Sequence, residues 1–485
     1  MFCEKQLAQT AQVWKKMERS TDEQRRLAEG YYKSEIMPMV VECFLQKYQR
    51  EEHCESMVLT LGTSYEPLVL SILALRPKKV LILYTEQSFN LLDDVIEFTK
   101  LKPTQFIATE VDSENPLQLY HEIKKAYERW GRPEDIYVDF TGGTKSMAAG
   151  CAMAGSAIGA KLIYIPPGKY LSELRRPEPG NEKLCFVEDP YVVFGDIERE
   201  QAFYLFNEMD YVSAYRVFDE LDKKVPNSKE DGAFKFLSKA YSAWHSLDIS
   251  EAKDNLLKCY DIILKKAKLE KNLILLQYKD KIKEQIEFLE VLEKLHCQEK
   301  IDKEFVFENV GYLIANLYQN AIRREIKGKY EMASLLLYRI LEAVEQKRLW
   351  NYGIDTECAN FLKLDSNIDD LQIKVNRLRR KIKGFGEIRN LDQKVSLMAG
   401  YILLAAIGDD IIKTKKPGLE HIRLNRLKDK VDSRNKSIFA HGYEFIDKKK
   451  YSEFKEVVVE YMDSLCVLED IDKDKLFSVC EFIRL

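Results

Sequence analysis

Five short apolar, β-rich runs punctuate the segment from Ser56 to Pro167: SMVLTLG (56–62), KKVLILYT (78–85), QFIATEV (105–111), DIYVDF (135–140) and AKLIYIPP (160–167). The stretches between them, 66–76, 88–101, 115–130 and 145–159, have helical spacing of apolar residues. Strands that are apolar throughout and alternate with helices predict a parallel sheet covered on both faces. Residues 56–167 therefore read as a Rossmann-like α/β domain. Upstream, Leu7, Val13, Trp14 and Met17, then Ile36, Val40, Val41, Phe44 and Leu45, recur at helical spacing and predict helices over 5–50.

After Pro166-Pro167 the chain is rich in proline and charge as far as Pro190, and no strand is predicted beyond residue 200. The fold class is thus an α/β half followed by an all-α half. Segment 250–300 is a long amphipathic helical run that reads either as an antiparallel pair or as a spacer. Residues 202–221 and 321–341 echo each other as helix, tight turn and a second helix opened by Tyr-x-x-Ala; two ordinary helical hairpins and a duplication fit equally well.

Composition narrows the class. A chain of 485 residues with 46% apolar and 32% charged side chains is globular, of about three domains or two plus a helical extension. Its net charge of -4 excludes a generally basic nucleic-acid coat, so contact with a polyanion must come from a local patch. The ten cysteines form no CxxC pair and are scattered through apolar segments, which suggests free thiols, a cytoplasmic location and no zinc site. The first sixteen residues lack the apolar region of a signal peptide. Residues 148–167 contain Lys161, and 395–408 run into Asp409 and Asp410, so neither stretch reads as a membrane span.

Two motifs carry candidate chemistry. In VDFTGGTKSMAAG (138–150) a buried strand ends, Gly142-Gly143 permit a turn with φ > 0, and Thr144 or Ser146 can cap the next helix. Helix-terminal amides beside Lys145 form an anion site. The loop is neither a phosphate-binding P-loop, because Thr144 separates Gly143 from the lysine, nor GxGxxG. TLGTSYEP (60–67) ends the first strand of the same sheet, so Gly62, Thr63 and Ser64 are expected to face it across a topological switch point. A purely structural strand–turn–helix corner is the alternative. In the second motif, within LKDKVDSRNKSIFAHGYEF (427–445), Arg434 and His441 are seven residues apart. On one helix they would share a face with Ser437 between them, and Gly442 would end that helix. Imidazole suits proton transfer and guanidinium suits phosphate. Residues 421–450 hold nine Lys/Arg against four Asp/Glu, and 374–394 hold eight against two, local basic patches fit for RNA or plain solvated faces.

TGGTKSM after a strand, LGTS on an earlier strand and RNKSIFAHG in a late helical half, in this order, resemble the CARF–HEPN ribonucleases associated with type III CRISPR systems. GKYEMASLLLYRILEAVEQKRL (328–349) is similar to the opening helices of that family's HEPN domain. The resemblance implies four parts: an N-terminal helical extension (1–55), a CARF sensor (56–190), a helical connector (191–300) and a HEPN ribonuclease domain (301–485). It implies that Gly62, Thr63, Ser64, Thr141, Gly142, Gly143, Thr144, Lys145, Ser146 and Met147 line a site for an activating cyclic oligoadenylate. It implies that Arg434, Asn435 and His441 form the RNA-cleaving signature, completed across a homodimer. The implied reaction needs no metal or other cofactor. The RNA 2′-OH attacks the adjacent phosphate of single-stranded RNA and leaves a 2′,3′-cyclic phosphate; DNA and membranes are not partners. Some CARF domains also cleave their ring, for which Thr63, Ser64 and Lys145 are the candidates here. Two other classes compete: a nucleotide-sensing scaffold without ribonuclease activity, and a nicotinamide-dependent oxidoreductase, which the missing GxGxxG disfavours.

Overall fold

The computed structural model of the chain describes residues 2–174, 176–225, 230–268, 271, 273–296, 302–364, 367–414 and 418–485. It divides into two compact units, Met1–Asp196 and Ile197–Leu485.

The first unit is a three-layer α/β structure. Its strands are β1 (Ser56–Thr60), β2 (Lys79–Tyr84), β3 (Phe106–Glu110), β4 (Ile136–Asp139) and β5 (Lys161–Tyr164), then a small hairpin of β6 (Tyr170–Leu171) and β7 (Arg176–Pro177), and finally β8 (Cys185–Val187). The main sheet has the order β3-β2-β1-β4-β5-β8. The first five strands are parallel and β8 closes the edge antiparallel to β5. The five apolar runs thus became the five parallel strands, while β6 to β8 are too short and too charged to register as strands in the sequence.

Helices α1 (Phe2–Lys16), α2 (Asp22–Tyr31), α3 (Met37–Tyr48), α4 (Glu66–Leu75), α5 (Leu92–Thr99), α6 (Pro116–Arg129) and α7 (Lys145–Ala157) cover the sheet. Strand alternation sorts the core into two halves. Met57 and Leu59 of β1 join one cluster with Leu7, Trp14, Ile36 and Phe44. Val58 joins the other with Leu119, Ile123, Met147 and Cys151 of α6 and α7. The N-terminal helices are therefore part of the layer that buries one sheet face. A capping box closes the start of α2: Gln24 N–H donates to the Thr21 hydroxyl at 3.2 Å, and Thr21 N–H donates to Gln24 Oε1 at 3.2 Å.

The second unit is helical: α8 (Pro190–Phe194) and α9 (Asp196–Asn207) lead into it, followed by α10 (Tyr211–Lys224), α11 (Asp231–His245), α12 (Ile249–Lys266), α13 (Lys279–His296), α14 (Lys303–Glu308), α15 (Val310–Ile326), α16 (Tyr330–Asn351), α17 (Ile368–Arg379), α18 (Leu397–Ile407), α19 (Glu420–Asn435), α20 (Lys448–Leu468) and α21 (Lys473–Val479). One apolar cluster runs from Ala202 to Ile483. The 250–300 run resolves into α12 and α13, which pack on each other, so it is a helix pair; residues 297–300 lie outside the described ones. Both echoing segments are helix–turn–helix, α9–α10 and α15–α16. The apolar stretch before Asp409 is the buried helix α18, and Arg348 binds the buried Asp409 carboxylate at 2.7 Å. Among the described residues no helix is long and apolar enough to cross a membrane. Seven cysteines are free thiols, whereas Cys43 is disulfide-bonded, a departure from the all-thiol expectation.

Candidate functional site

The C-terminal ends of β1 and β4 lie side by side at the point where strand order reverses, and the two predicted loops leave from there. Their backbones touch. A Cβ on Gly142 would sit 1.9 Å from Thr60 O, and one on Gly62 would sit 2.4 Å from Gly143 N. Gly143 alone of the pair has positive φ, +84°; Gly142 is glycine because of this close approach. The Thr60 hydroxyl donates to Gly142 O at 2.7 Å, which ties the loops together.

A buried carboxylate organises the second loop from below. Asp139, at the end of β4, accepts from Thr141 N–H at 2.9 Å and from the Ser71 hydroxyl at 2.6 Å. Burial pushes its pKa up, against the lowering effect of those two hydrogen bonds. The Thr141 hydroxyl in turn accepts from Ile165 N–H at 2.8 Å. Of the two capping candidates, Thr144 is the N-cap of α7: Met147 N–H donates to its hydroxyl at 3.3 Å, and the hydroxyl donates to Ser113 O at 3.1 Å.

A cavity of about 230 Å³ opens between the loops. Gly62, Thr63, Ser64, Thr141, Gly142 and Gly143 line it as the sequence predicts. Thr144, Lys145 and Ser146 lie at the start of α7 and are not among its lining residues; Lys145 is exposed there. Met147 departs from the expectation. It is fully buried in the core beneath Gly143, because the first turn of α7 directs that position into the sheet.

The opposite wall escaped sequence reasoning. It contains Tyr32 from the N-terminal helices, Glu66 at the start of α4, Tyr164, and Pro177 and Glu182 from the proline-rich segment. Arg176 ties this wall together, with ion pairs to Glu29 at 3.1 Å and Glu66 at 3.4 Å and its guanidinium 4.3 Å from the Tyr32 ring centre. Burial raises the Glu66 pKa, partly offset by Arg176, and burial likewise raises that of Glu182. Only the run Pro166-Pro167 signalled a pocket edge in the sequence; nothing in the spacing of residues 1–55 pointed Tyr32 at β1.

The second motif has a different geometry from the one expected. Helix α19 ends at Asn435, so Arg434 and His441 do not share a helix face. The chain turns back at once. Ser437 N–H donates to Arg434 O at 2.9 Å, His441 N–H to Asn435 O at 3.1 Å, and Gly442 N–H to Ser437 O at 3.2 Å. Glu444 N–H donates to Lys436 O at 2.9 Å and Ile438 N–H to Glu444 O at 3.1 Å, closing a small loop. Gly442 is where this loop crosses itself, since a Cβ there would lie 2.0 Å from Lys436 O. Those turn hydrogen bonds replace the i→i−4 ladder that would have carried His441 round the helix. They still hold its backbone against the end of α19.

Arg434 is buried at the helix end. Its guanidinium lies 4.2 Å from the Tyr338 ring centre on α16, and Nη1 donates to Asn435 Oδ1 at 3.3 Å. Burial lowers its pKa, opposed by Tyr338, Glu342 and Glu331. Its neighbour Ser437 is buried, whereas His441 is exposed. The basic character of this region is largely spent internally: Arg426 pairs with Glu460 at 2.7 Å and Glu456 at 3.0 Å, Lys430 with Glu453 at 2.6 Å, and Lys428 with Asp432. The sequence count of cations on 421–450 therefore overstates the charge presented to a polyanion.

Together these features define a class: a Rossmann-like unit whose sheet ends in a glycine-lined cavity, and a helical unit that holds an arginine and a histidine at one helix terminus. The chain belongs to the CRISPR-associated CARF–HEPN ribonuclease family. Residues 302–465 match the family model described as the Csm6 HEPN domain, and residues 194–289 match the one described as the Csm6 6H domain. The CRISPR system endoribonuclease Csm6 of Thermus thermophilus is 24% identical over 431 residues, spanning 86% of this chain and 87% of that protein. A solved structure of Can2 from Sulfobacillus thermosulfidooxidans in complex with cyclic tetra-adenylate is 14% identical, with a TM-score of 0.22, covering 43% of this chain and 69% of that one.

Proposed function

We propose that this protein is a cyclic-oligoadenylate-activated endoribonuclease of type III CRISPR defence that cuts single-stranded RNA without a metal ion. The observation that carries the reading is the pairing of a partly desolvated guanidinium, Arg434, with an imidazole, His441, tied to the same helix end inside the segment matched by the Csm6 HEPN model. The Thermus relative named an endoribonuclease supports it over most of the chain. In the proposed reaction the RNA 2′-OH attacks the adjacent phosphorus, its proton leaves, and the 5′-oxygen departs with a proton, giving a 2′,3′-cyclic phosphate and a 5′-OH. His441 moves a proton, Arg434 stabilises charge on the phosphorane, and Asn435 orients Arg434. Two copies of the motif form one composite site in a homodimer.

The ring ligand is assigned to the cavity of the first unit. Its phosphates would meet the loop amides of Gly62–Ser64 and Gly142–Gly143, with Lys145 at the rim. The apolar and aromatic wall opposite has the character of a base-binding surface. The deciding experiment incubates the full chain with labelled RNA in EDTA, with and without cyclic tetra- and hexa-adenylate. Ring-stimulated cleavage in EDTA, with cyclic-phosphate ends and no cutting of DNA of the same sequence, is expected. Absence of cleavage with tight ring binding would favour a sensor scaffold instead.

A further inference from the structure

A second cavity, also about 230 Å³, lies wholly within the helical unit, and its chemistry is unlike that of the first. Asn207, Met209, Tyr211, Arg323, Phe482 and Arg484 are among its lining residues. Two of these are cations, and Glu481 is the lining's one carboxylate. Arg323 is only 5% exposed. Its guanidinium lies flat against Phe482, 3.8 Å from the ring centre, and Nη1 donates to Cys480 O at 3.0 Å. Its Nε and Nη2 have no acceptor. Among the described residues no carboxylate forms an ion pair with it. Burial lowers its pKa to about 10, with only weak support from Tyr211 and other neutral groups.

An unpaired buried cation with two idle donors is costly to fold, because its hydration is lost and nothing replaces it. Elsewhere in the same unit buried charges are matched: Arg348 holds Asp409, and Arg199 holds Asp231. At Arg323 the protein instead leaves an open volume, a second arginine at its mouth and a neutral phenol, Tyr211, whose pKa burial raises to about 12. Planar guanidinium donors match tetrahedral oxyanions, and two of them match a dianion.

We propose that this cavity is a binding site for a small phosphate monoester, its phosphoryl oxygens accepting from Arg323 and Arg484. The site joins Asn207, Met209 and Tyr211, in the segment matched by the 6H model, to Arg323, in the segment matched by the HEPN model. A ligand there clamps the two together. The proposal is independent of ring binding and of RNA cleavage.

Thermal unfolding and calorimetry of the full chain test it, with inorganic phosphate, adenosine 5′-monophosphate and adenosine as probes at constant ionic strength. A saturable rise in Tm with phosphate or the monophosphate, and none with adenosine, is expected. A stronger response to the monophosphate than to phosphate identifies the source as an organic ester. Arg484→Ala, an exposed substitution, is expected to weaken binding about tenfold, the loss of one charge-assisted contact. Arg323→Met, of similar shape and uncharged, is expected to fold and to lose the response altogether. A wild-type Tm that follows ionic strength alone overturns the proposal. So does a response that survives both arginine variants, or one abolished by Lys145→Ala, which would move the phosphate to the loop beside α7.

Discussion

Arg434 is held by a ring on one side and an amide on the other, so its place does not depend on RNA. That preorganisation is what electrostatic stabilisation of a phosphorane requires, because the donor needs no reorientation during reaction. Arg434→Ala is expected to lower the RNA cleavage rate about 10²–10³-fold, by analogy with loss of one oxyanion donor. Arg434→Lys should not restore it, since an ammonium neither stacks on Tyr338 nor offers a planar fork. His441→Ala removes the imidazole from an exposed loop and should cost about 10²–10⁴-fold, with the Tm unchanged. Single-turnover cleavage assays alongside thermal unfolding check both; a His441→Ala protein that cleaves at the wild-type rate would dismiss the assignment.

A different residue sets a pH dependence on stability. Glu345 on α16 is buried, its Oε1 has no partner, and a Cβ on Gly400 would fall 1.6 Å from it. Burial raises its pKa well above 4.5, with Glu342 adding to the shift and Arg339 opposing it. A carboxyl whose pKa is higher folded than unfolded contributes stability below the unfolded value, and that contribution is lost as pH rises toward the folded value. Glu345→Gln keeps the shape and abolishes the titration. The difference in Tm between the variant and the wild type should therefore grow in the variant's favour from pH 4.5 upward and then level off. A difference independent of pH would mean that Glu345 stays charged in the folded protein.

At the scale of elements, the strand–loop–helix corner of β4 and α7 shows why some of the fold and site could be read from sequence. Fully buried parallel strands have no polar face to hide them, so all five were visible as apolar runs, and Gly142-Gly143 marked the turn. The contact that makes Gly142 necessary is with Thr60, eighty-two positions away in sequence. A local pattern gives that residue no more than freedom of φ. The same limit hid Tyr32 and Glu182, which reach the cavity only through tertiary packing. It also misplaced His441, because turn hydrogen bonds after Asn435 compete with helix continuation and no propensity in SIFAHG reveals which wins. Two substitutions probe the corner separately. Thr144→Ala deletes the cap of α7 and should lower stability by about 1 kcal/mol in denaturant titration. Lys145→Ala, exposed and without structural consequence, should leave stability alone and weaken cyclic-oligoadenylate affinity severalfold by calorimetry. Equal ring affinity in the lysine variant would place the phosphates away from the N-terminus of α7.

For the whole molecule, the inventory at the catalytic loop argues for more than one chain. Each chain offers one imidazole and one guanidinium, while the proposed transfer takes a proton on one side of the phosphorus and returns one on the other. The face around His441 is also unusually apolar for an exposed surface: Phe439 is 54% exposed, Phe445 72% and Tyr443 94%. Such clusters beside a site mark surfaces that another molecule covers. A two-fold dimer satisfies both needs, since a two-fold contact sets the same patch against itself. If the site is composite, wild-type chains co-assembled with an equal amount of His441→Ala chains should retain about a quarter of the activity, the share of fully wild-type dimers in a random mixture. Independent sites would retain about half. Sedimentation of the same mixtures must show dimers throughout, and activity that falls in simple proportion to the wild-type fraction would reject the shared site while leaving the roles of Arg434 and His441 within one chain intact.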